Sequence, residues 1–89
     1  MKFEYDPAKS VTNKLKHGIN FDEAQRLWGN TLLEIPSQYE GESRALFIGL
    51  IEDKHWTAVV TRREGAIRII SCRRSRNEEV SWYEGKEAR

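Results

Sequence analysis

The residues best suited to chemistry are concentrated between Val59 and Arg76, which read VVTRREGAIRIISCRRSR. This stretch carries six arginines against one acid, Glu64. The rest of the chain has nine lysines and arginines against thirteen acids, so a net charge of +1 conceals a block of +5 on a body of −4. The guanidinium fork matches phosphate and carboxylate oxygens two at a time. The block therefore predicts a polyanion site, the alternative being a solvated strand edge with ordinary surface charge.

A second group of polar side chains falls on the first predicted helix. At about 100° per residue, Lys9, Asn13 and Lys16 share one face, with the imidazole of His17 at its edge. Two cations with a polar residue between them favour a phosphate-facing surface. A row of solvated lysines is the alternative interpretation of the same pattern.

Capping residues fix the bounds of this helix. Asp6 is a typical N-cap, Pro7 suits the first helical position, and Gly18 can adopt the left-handed C-cap conformation. The helix is therefore predicted to end at His17. Its apolar residues share a face that we expect to be the core side: Ala8, Val11 and Leu15.

The remaining pattern predicts an α+β domain covering residues 1–89. A short strand precedes the first helix, and Asn20 with Glu23 forms a capping box for a second helix. Four strands with hairpin turns follow, then a last helix opened by a capping box of Ser75 and Glu78. We therefore expect a mostly antiparallel sheet meander with two N-terminal helices and one C-terminal helix. The predicted strands are 31–35, 44–51, 55–63 and 66–73, and a polar loop at 37–42 separates the first two.

Composition excludes several classes of protein. The chain of 89 residues is long enough for one modest core. No apolar run approaches the length of a membrane span, and MKFEYDPAK has no signal-peptide core.

The single cysteine, Cys72, cannot form an internal disulfide, and we expect it to be a packing residue. With no Cys/His ligand spacing, neither a metal nor another cofactor is predicted, and the cytoplasm is the expected compartment.

Two motifs at the ends of the chain resemble a known family. The first reads D-P-x-K-x-x-x-N-x-x-K-H-G-x-x-F-x-x-A from Asp6 to Ala24. The second reads T-x-R-x-x-x-x-R-I-I-S-x-R from Thr61 to Arg73, followed by E-x-x-x-Y-E from Glu79 to Glu84. Together they resemble the BrnT family of bacterial toxins over nearly the whole chain.

This resemblance implies a RelE-like fold and a ribonuclease that cleaves RNA without a metal and blocks translation. It also implies a cognate antitoxin, BrnA, which neutralises the toxin. The antitoxin carries the DNA-binding domain, so the link to DNA is expected to be indirect, and no membrane partner is implied.

Metal-free RNA cleavage requires proton removal from a 2′-hydroxyl, cations for the phosphorane and an acid for the leaving oxygen. Arg63 and Arg73 are the first choices for charge stabilisation, because each ends a strand beside a turn and matches the family motif. His17 could transfer protons or bind the last carbonyls of its helix. Glu79 is a possible base, or a first-turn helix cap.

The other candidate residues are expected to bind RNA rather than to react with it. Tyr83 could stack on a base or belong to the core, and Arg68 could form a buried ion pair or contact the antitoxin. The residues assigned to phosphate or RNA binding are Lys9, Lys16, Asn13, Arg74, Arg76 and Tyr83.

A non-catalytic module remains the alternative function. The same arginine-rich hairpin would suit a small domain that binds a nucleic acid or a protein partner. Substitution of Arg63 or Arg73 separates the two functions, because an enzyme would lose cleavage whereas a binding module would lose only salt-dependent affinity.

Overall fold

The computed structural model describes residues 1–36 and 43–87, so the polar loop predicted at 37–42 lies outside the described residues. The order of elements follows the sequence-based prediction, apart from a 3-10 helix, Gln25–Gly29, that continues the second helix. The strands are β1 (Lys2–Glu4), β2 (Leu33–Pro36), β3 (Arg44–Ile51), β4 (Lys54–Arg63) and β5 (Ala66–Arg74), and the helices are α1 (Pro7–His17), α2 (Phe21–Ala24) and α3 (Asn77–Glu87).

The five strands form one sheet in the order β1-β5-β4-β3-β2. Strands β2 to β5 are an antiparallel meander, as predicted, and β1 adds to β5 in parallel. The β3–β4 turn places both Glu52 (φ 51°) and Asp53 (φ 67°) at positive φ, and the β4–β5 turn does the same with Glu64 and Gly65. Positive φ at both central residues is the type I′ geometry that matches the twist of a hairpin.

The two faces of the sheet are covered differently. Residues from α2, the 3-10 helix and the intervening loops pack on the first face, and α3 packs on the second face against β3. The main core on the first face consists of Ile19, Phe21, Ala24, Leu27, Ala45, Phe47, Ile51, Ala58, Val60, Ile67, Ile69 and Cys72.

Helix α1 has the predicted ends but not the predicted orientation. Asp6 accepts a hydrogen bond from the Ala8 backbone N–H, and Gly18 has φ 82°. The side chains buried on this helix are polar, Ser10 and Asn13. The expectation that Ala8, Val11 and Leu15 face the core is wrong, because Ala8 is exposed and Val11 and Leu15 are 62% and 83% exposed.

The start of α3 also differs from the prediction. The carboxylate of Glu79 accepts from the Arg76 backbone N–H at 2.8 Å, so Arg76 occupies the N-cap position and Glu79 the third helical position. Ser75 does not cap this helix, since its hydroxyl lies 2.8 Å from that of Thr57 on β4.

No helix in the described part of the chain combines the length and apolar character needed to cross a membrane.

Candidate nucleic-acid interface

The face of α1 predicted to bind phosphate lies along the edge of β5. A groove of about 270 Å³ runs between the two elements. The groove is lined by all four side chains predicted from that face together with Thr12 and two residues of β5: Lys9, Thr12, Asn13, Lys16, His17, Ile70 and Ser71. We call this the α1–β5 groove.

The two lysines of the groove are available to an incoming anion. Lys9 and Lys16 are exposed and lie about 10 Å apart along the helix axis, on the same face. Neither makes a salt bridge with any residue that the structure describes. Lys14, on another face of α1, instead lies 2.9 Å from a carboxylate oxygen of Glu23. The charges of Lys9 and Lys16 are therefore not neutralised by any residue that the structure describes.

Asn13 is the exception among the predicted phosphate ligands, because its amide is already occupied. Its Nδ2 donates to the carbonyl oxygens of Ile19 (2.8 Å) and Cys72 (2.7 Å), and its Oδ1 accepts from the Cys72 N–H (3.3 Å). The side chain is buried and takes the place that a neighbouring strand would occupy beside Cys72. Asn13 thus holds α1 against the edge of β5, beyond the end of the short strand β1.

A cation–aromatic pair formed by Arg74 of β5 and Trp56 of β4 lies near the end of α1. Trp56 shares a second groove with Gly18 and Ile19, the two residues that follow His17. The guanidinium of Arg74 lies 5.6 Å from the centre of the Trp56 ring, and its Nε donates to the His55 carbonyl oxygen. A cation stacked on an indole beside the α1–β5 groove resembles the combination of charge and aromatic surface used for single-stranded nucleic acids.

Arg73 and Glu79, both predicted to be catalytic, are bound to each other. The guanidinium donates to the two carboxylate oxygens at 2.7 and 2.8 Å. Glu79 is 3% exposed and also accepts from the Thr57 hydroxyl at 3.0 Å. Burial opposes ionisation, yet these donors, Arg73 foremost, outweigh it and lower the pKa of Glu79 to about 2. The same pair raises the pKa of Arg73 above its ordinary value.

Arg63 lies far from Arg73, although both belong to the same hairpin. Arg63 is paired with Ala66 beside the β4–β5 turn, whereas Arg73 is paired with Thr57 at the other end of β4. The rise of a strand puts about 20 Å between these two positions. The Nε of Arg63 is 3.9 Å from a carboxylate oxygen of Glu4, so its ion pair is a loose one on the surface.

A cluster that the sequence analysis did not find surrounds His55. Its Nε2 lies 2.6 Å from a carboxylate oxygen of Glu84, and its ring meets Tyr83 edge to face at 5.6 Å. Tyr83 is 6% exposed, and its hydroxyl donates to the carbonyl oxygen of Thr31, which is consistent with a core role. His55 and Glu84 are 29 residues apart, so only the docking of α3 on the sheet brings them together.

The remaining predicted residues are readily placed. Arg76 is exposed at the start of α3. Arg68 is half-buried, with its guanidinium 3.8 Å from Glu4. Cys72 is buried, and desolvation raises its pKa to about 12, so it is a packing residue as expected.

Within residues 1–36 and 43–87, no three side chains of the His, Cys, Asp and Glu types are grouped so that they could hold a metal ion.

Comparison with protein-family models matches residues 5–79 to the family described as the ribonuclease toxin BrnT of type II toxin–antitoxin systems. Comparison with curated protein sequences gives no significant match. The family match spans both motifs almost completely, including α1, the three long strands and the start of α3. The chain therefore belongs to the BrnT family of ribonuclease toxins, whose partner in a type II system is a cognate antitoxin protein.

Proposed function

We propose that the protein is a metal-independent endoribonuclease that binds RNA along the α1–β5 groove. The observation that carries the proposal is the exposure of Lys9 and Lys16, without acidic partners in the described chain, beside His17. Lysine ammonium groups in this position would bind successive parts of a phosphate backbone. Arg74, stacked on Trp56, would extend the binding surface beyond the end of α1.

The reaction is attack of a ribose 2′-oxygen on the adjacent phosphorus. A bond forms between the 2′-oxygen and phosphorus, and the bond to the 5′-oxygen breaks, which leaves a 2′,3′-cyclic phosphate and a 5′-hydroxyl. The imidazole of His17 would exchange protons with these oxygens, and the lysines would stabilise the additional negative charge of the phosphorane. The chain's own cations then supply the stabilisation for which other nucleases use metal ions.

Arg73 and Glu79 have a positioning role in this proposal. Their mutual ion pair occupies the groups that a phosphate or a 2′-hydroxyl would need. By fixing the end of β5 to α3, the pair holds Arg74 in place beside Trp56. Glu79 is not proposed as the base, because a carboxylate with a pKa of about 2 is a weak proton acceptor near neutral pH.

The biological consequence would be arrest of translation in the cytoplasm through cleavage of RNA. The cognate antitoxin, of the BrnA type, would neutralise the enzyme by covering its RNA-binding surface. Any contact with operator DNA would be made by the antitoxin.

Cleavage of a defined RNA in EDTA tests the proposal. The wild-type protein is compared with Lys9→Ala/Lys16→Ala and with the control Lys2→Ala/Lys14→Ala, which removes the same charge from other exposed positions. Wild type and control should release products ending in a 2′,3′-cyclic phosphate, and the groove variant should be at least roughly 100-fold slower. Activity restored only by a divalent cation would contradict metal independence.

Two other outcomes are informative. Binding of RNA without cleavage, by protein with the expected circular dichroism, would favour the non-catalytic module. Equal cleavage by the wild type and both variants would leave the enzyme assignment intact and exclude the α1–β5 groove as its RNA site.

A further inference from the structure

Helix α1 exposes an apolar stripe to solvent. Ala8, Val11 and Leu15 recur at intervals of three and four residues and therefore lie one above another on the helix. Val11 is 62% exposed and Leu15 is 83% exposed. The buried side of the helix carries Ser10 and Asn13, so the amphipathic pattern is inverted relative to the protein's own core.

The stripe borders a groove that could receive side chains of a partner. This groove has a volume of about 290 Å³ and runs along the helix from Pro7 to Leu15. Tyr5 and Pro7 line it together with Val11, Leu15 and the stem of Lys14. Scattered exposed apolar residues are ordinary on a protein surface, but a helical stripe beside a groove is typical of an interaction site.

The charges around the stripe identify the class of partner. Helix α1 contains three lysines and no acid. Lys14, which is already bonded to Glu23, lies on one flank of the stripe, and Lys16, which pairs with no described acid, lies on the other. Two copies of this helix facing each other would bring lysines together with no carboxylate on either helix. A partner with apolar residues and an acid beside them would complement both the stripe and Lys16.

We infer that the apolar stripe of α1 is a docking site for an acidic, amphipathic segment of the cognate antitoxin. A helical segment laid along α1 would bury Val11 and Leu15 and pair a carboxylate with Lys16. Lys9 and Lys16 lie about a third of a turn around the helix from the centre of the stripe. A carboxylate of the docked antitoxin that pairs with Lys16 therefore competes with RNA phosphates for this lysine. The competition rests on the proposed RNA site, whereas the docking itself does not.

The test uses full-length toxin and the purified full-length cognate antitoxin. Val11→Gln/Leu15→Gln removes the apolar contacts at exposed helical positions, and Trp82→Gln removes a 42% exposed aromatic from α3 as the control. Isothermal titration should show antitoxin affinity reduced at least roughly 30-fold for the double variant and unchanged for the control. Both variants should keep the RNA cleavage rate, and the double variant should keep the wild-type melting temperature.

The outcomes separate this inference from the proposed function. Unchanged antitoxin affinity of Val11→Gln/Leu15→Gln would overturn the docking site. Reduced affinity with no RNA cleavage by any toxin, wild type included, would support the docking site and contradict the ribonuclease proposal. If ultracentrifugation shows a free wild-type dimer that the double variant converts to a monomer, the stripe is a self-association surface and the inference fails.

Discussion

The guanidinium of Arg73 and the carboxylate of Glu79 form a two-point ion pair that joins the last strand to the last helix. The same carboxylate accepts from the Thr57 hydroxyl on β4 and from the Arg76 N–H at the start of α3. Three elements therefore converge on one buried side chain. Loss of activity on substitution of Arg73 would not by itself identify a catalytic residue, because removing one partner leaves the other charge buried and unpaired.

The pair should make stability depend on pH below neutrality. The pKa of Glu79 is about 2 in the folded protein, against an ordinary value of 4.5. Its stabilising contribution is therefore complete above the ordinary value and is lost as the pH falls from about 4.5 towards 2. Glu79→Gln should lower the free energy of unfolding by about 3 kcal/mol at pH 7, and the difference from wild type should shrink across that window. Urea unfolding at a series of pH values measures this.

Glu34→Gln is the matched control. Glu34 also pairs with an arginine, Arg62, which lowers its pKa, but its side chain is 39% exposed. Its substitution should cost less than about 1 kcal/mol at pH 7. Equal effects of the two substitutions would show that burial of the Arg73–Glu79 pair contributes little to the free energy of unfolding.

Asn13→Ala should destabilise the fold rather than only weaken RNA binding. It removes the partners of the Cys72 N–H and of the Cys72 and Ile19 carbonyls. Leaving these groups unpaired should cost roughly 3 kcal/mol in the free energy of unfolding. Thr12→Ala, an exposed neighbour on the same helix, should stay within about 0.5 kcal/mol of wild type. Wild-type stability of Asn13→Ala with weakened RNA binding would restore Asn13 as a phosphate ligand.

The helix caps, the hairpin turns and the buried face of α1 show where sequence-based reasoning succeeds and where it fails. The caps of α1, the capping box at Asn20 and the hairpin turns depend on neighbours within a few residues, and all were predicted correctly. The core face of α1 was predicted wrongly because periodicity does not reveal what lies opposite a helix. Here the helix meets the backbone edge of β5, which requires the polar side chain of Asn13.

The candidate site, too, was predictable only where it depends on residues close together in the sequence. Lys9, Lys16 and His17 are brought together by helical periodicity alone, and the structure places them in one groove. The separation of Arg63 from Arg73 depends on strand register across a hairpin. Neither that distance nor the burial of Arg73 against Glu79 has a local signal in the sequence.

The salt dependence of RNA binding should report the lysines of the groove. Each phosphate contact to single-stranded RNA contributes about 0.7 to the slope of log affinity against log salt concentration. Lys9→Ala/Lys16→Ala should therefore reduce that slope by about 1.4, measured by fluorescence anisotropy with a labelled RNA. Lys2→Ala/Lys14→Ala should leave the slope unchanged. The same reduction in both variants would indicate a diffuse effect of net charge.

Cys72 should resist thiol reagents in the folded protein. The thiol is buried, and desolvation raises its pKa to about 12. At pH 8 only about one molecule in ten thousand would carry the reactive thiolate. Reaction with DTNB should be negligible under native conditions and complete in concentrated guanidinium chloride. Rapid labelling of the native protein would show that the edge of β5 beside α1 opens readily.

The two histidines allow the position of the reaction centre to be tested directly. His17→Gln should reduce the single-turnover cleavage rate by roughly 100- to 10,000-fold with little change in RNA affinity, because its imidazole is assigned proton transfer. His55 differs, since its ring lies against Tyr83 and its Nε2 contacts Glu84 on α3. His55→Gln should instead cost about 1 kcal/mol of stability and keep most of the cleavage rate. The opposite pattern would move the reaction centre from the α1–β5 groove to the end of the sheet beneath α3.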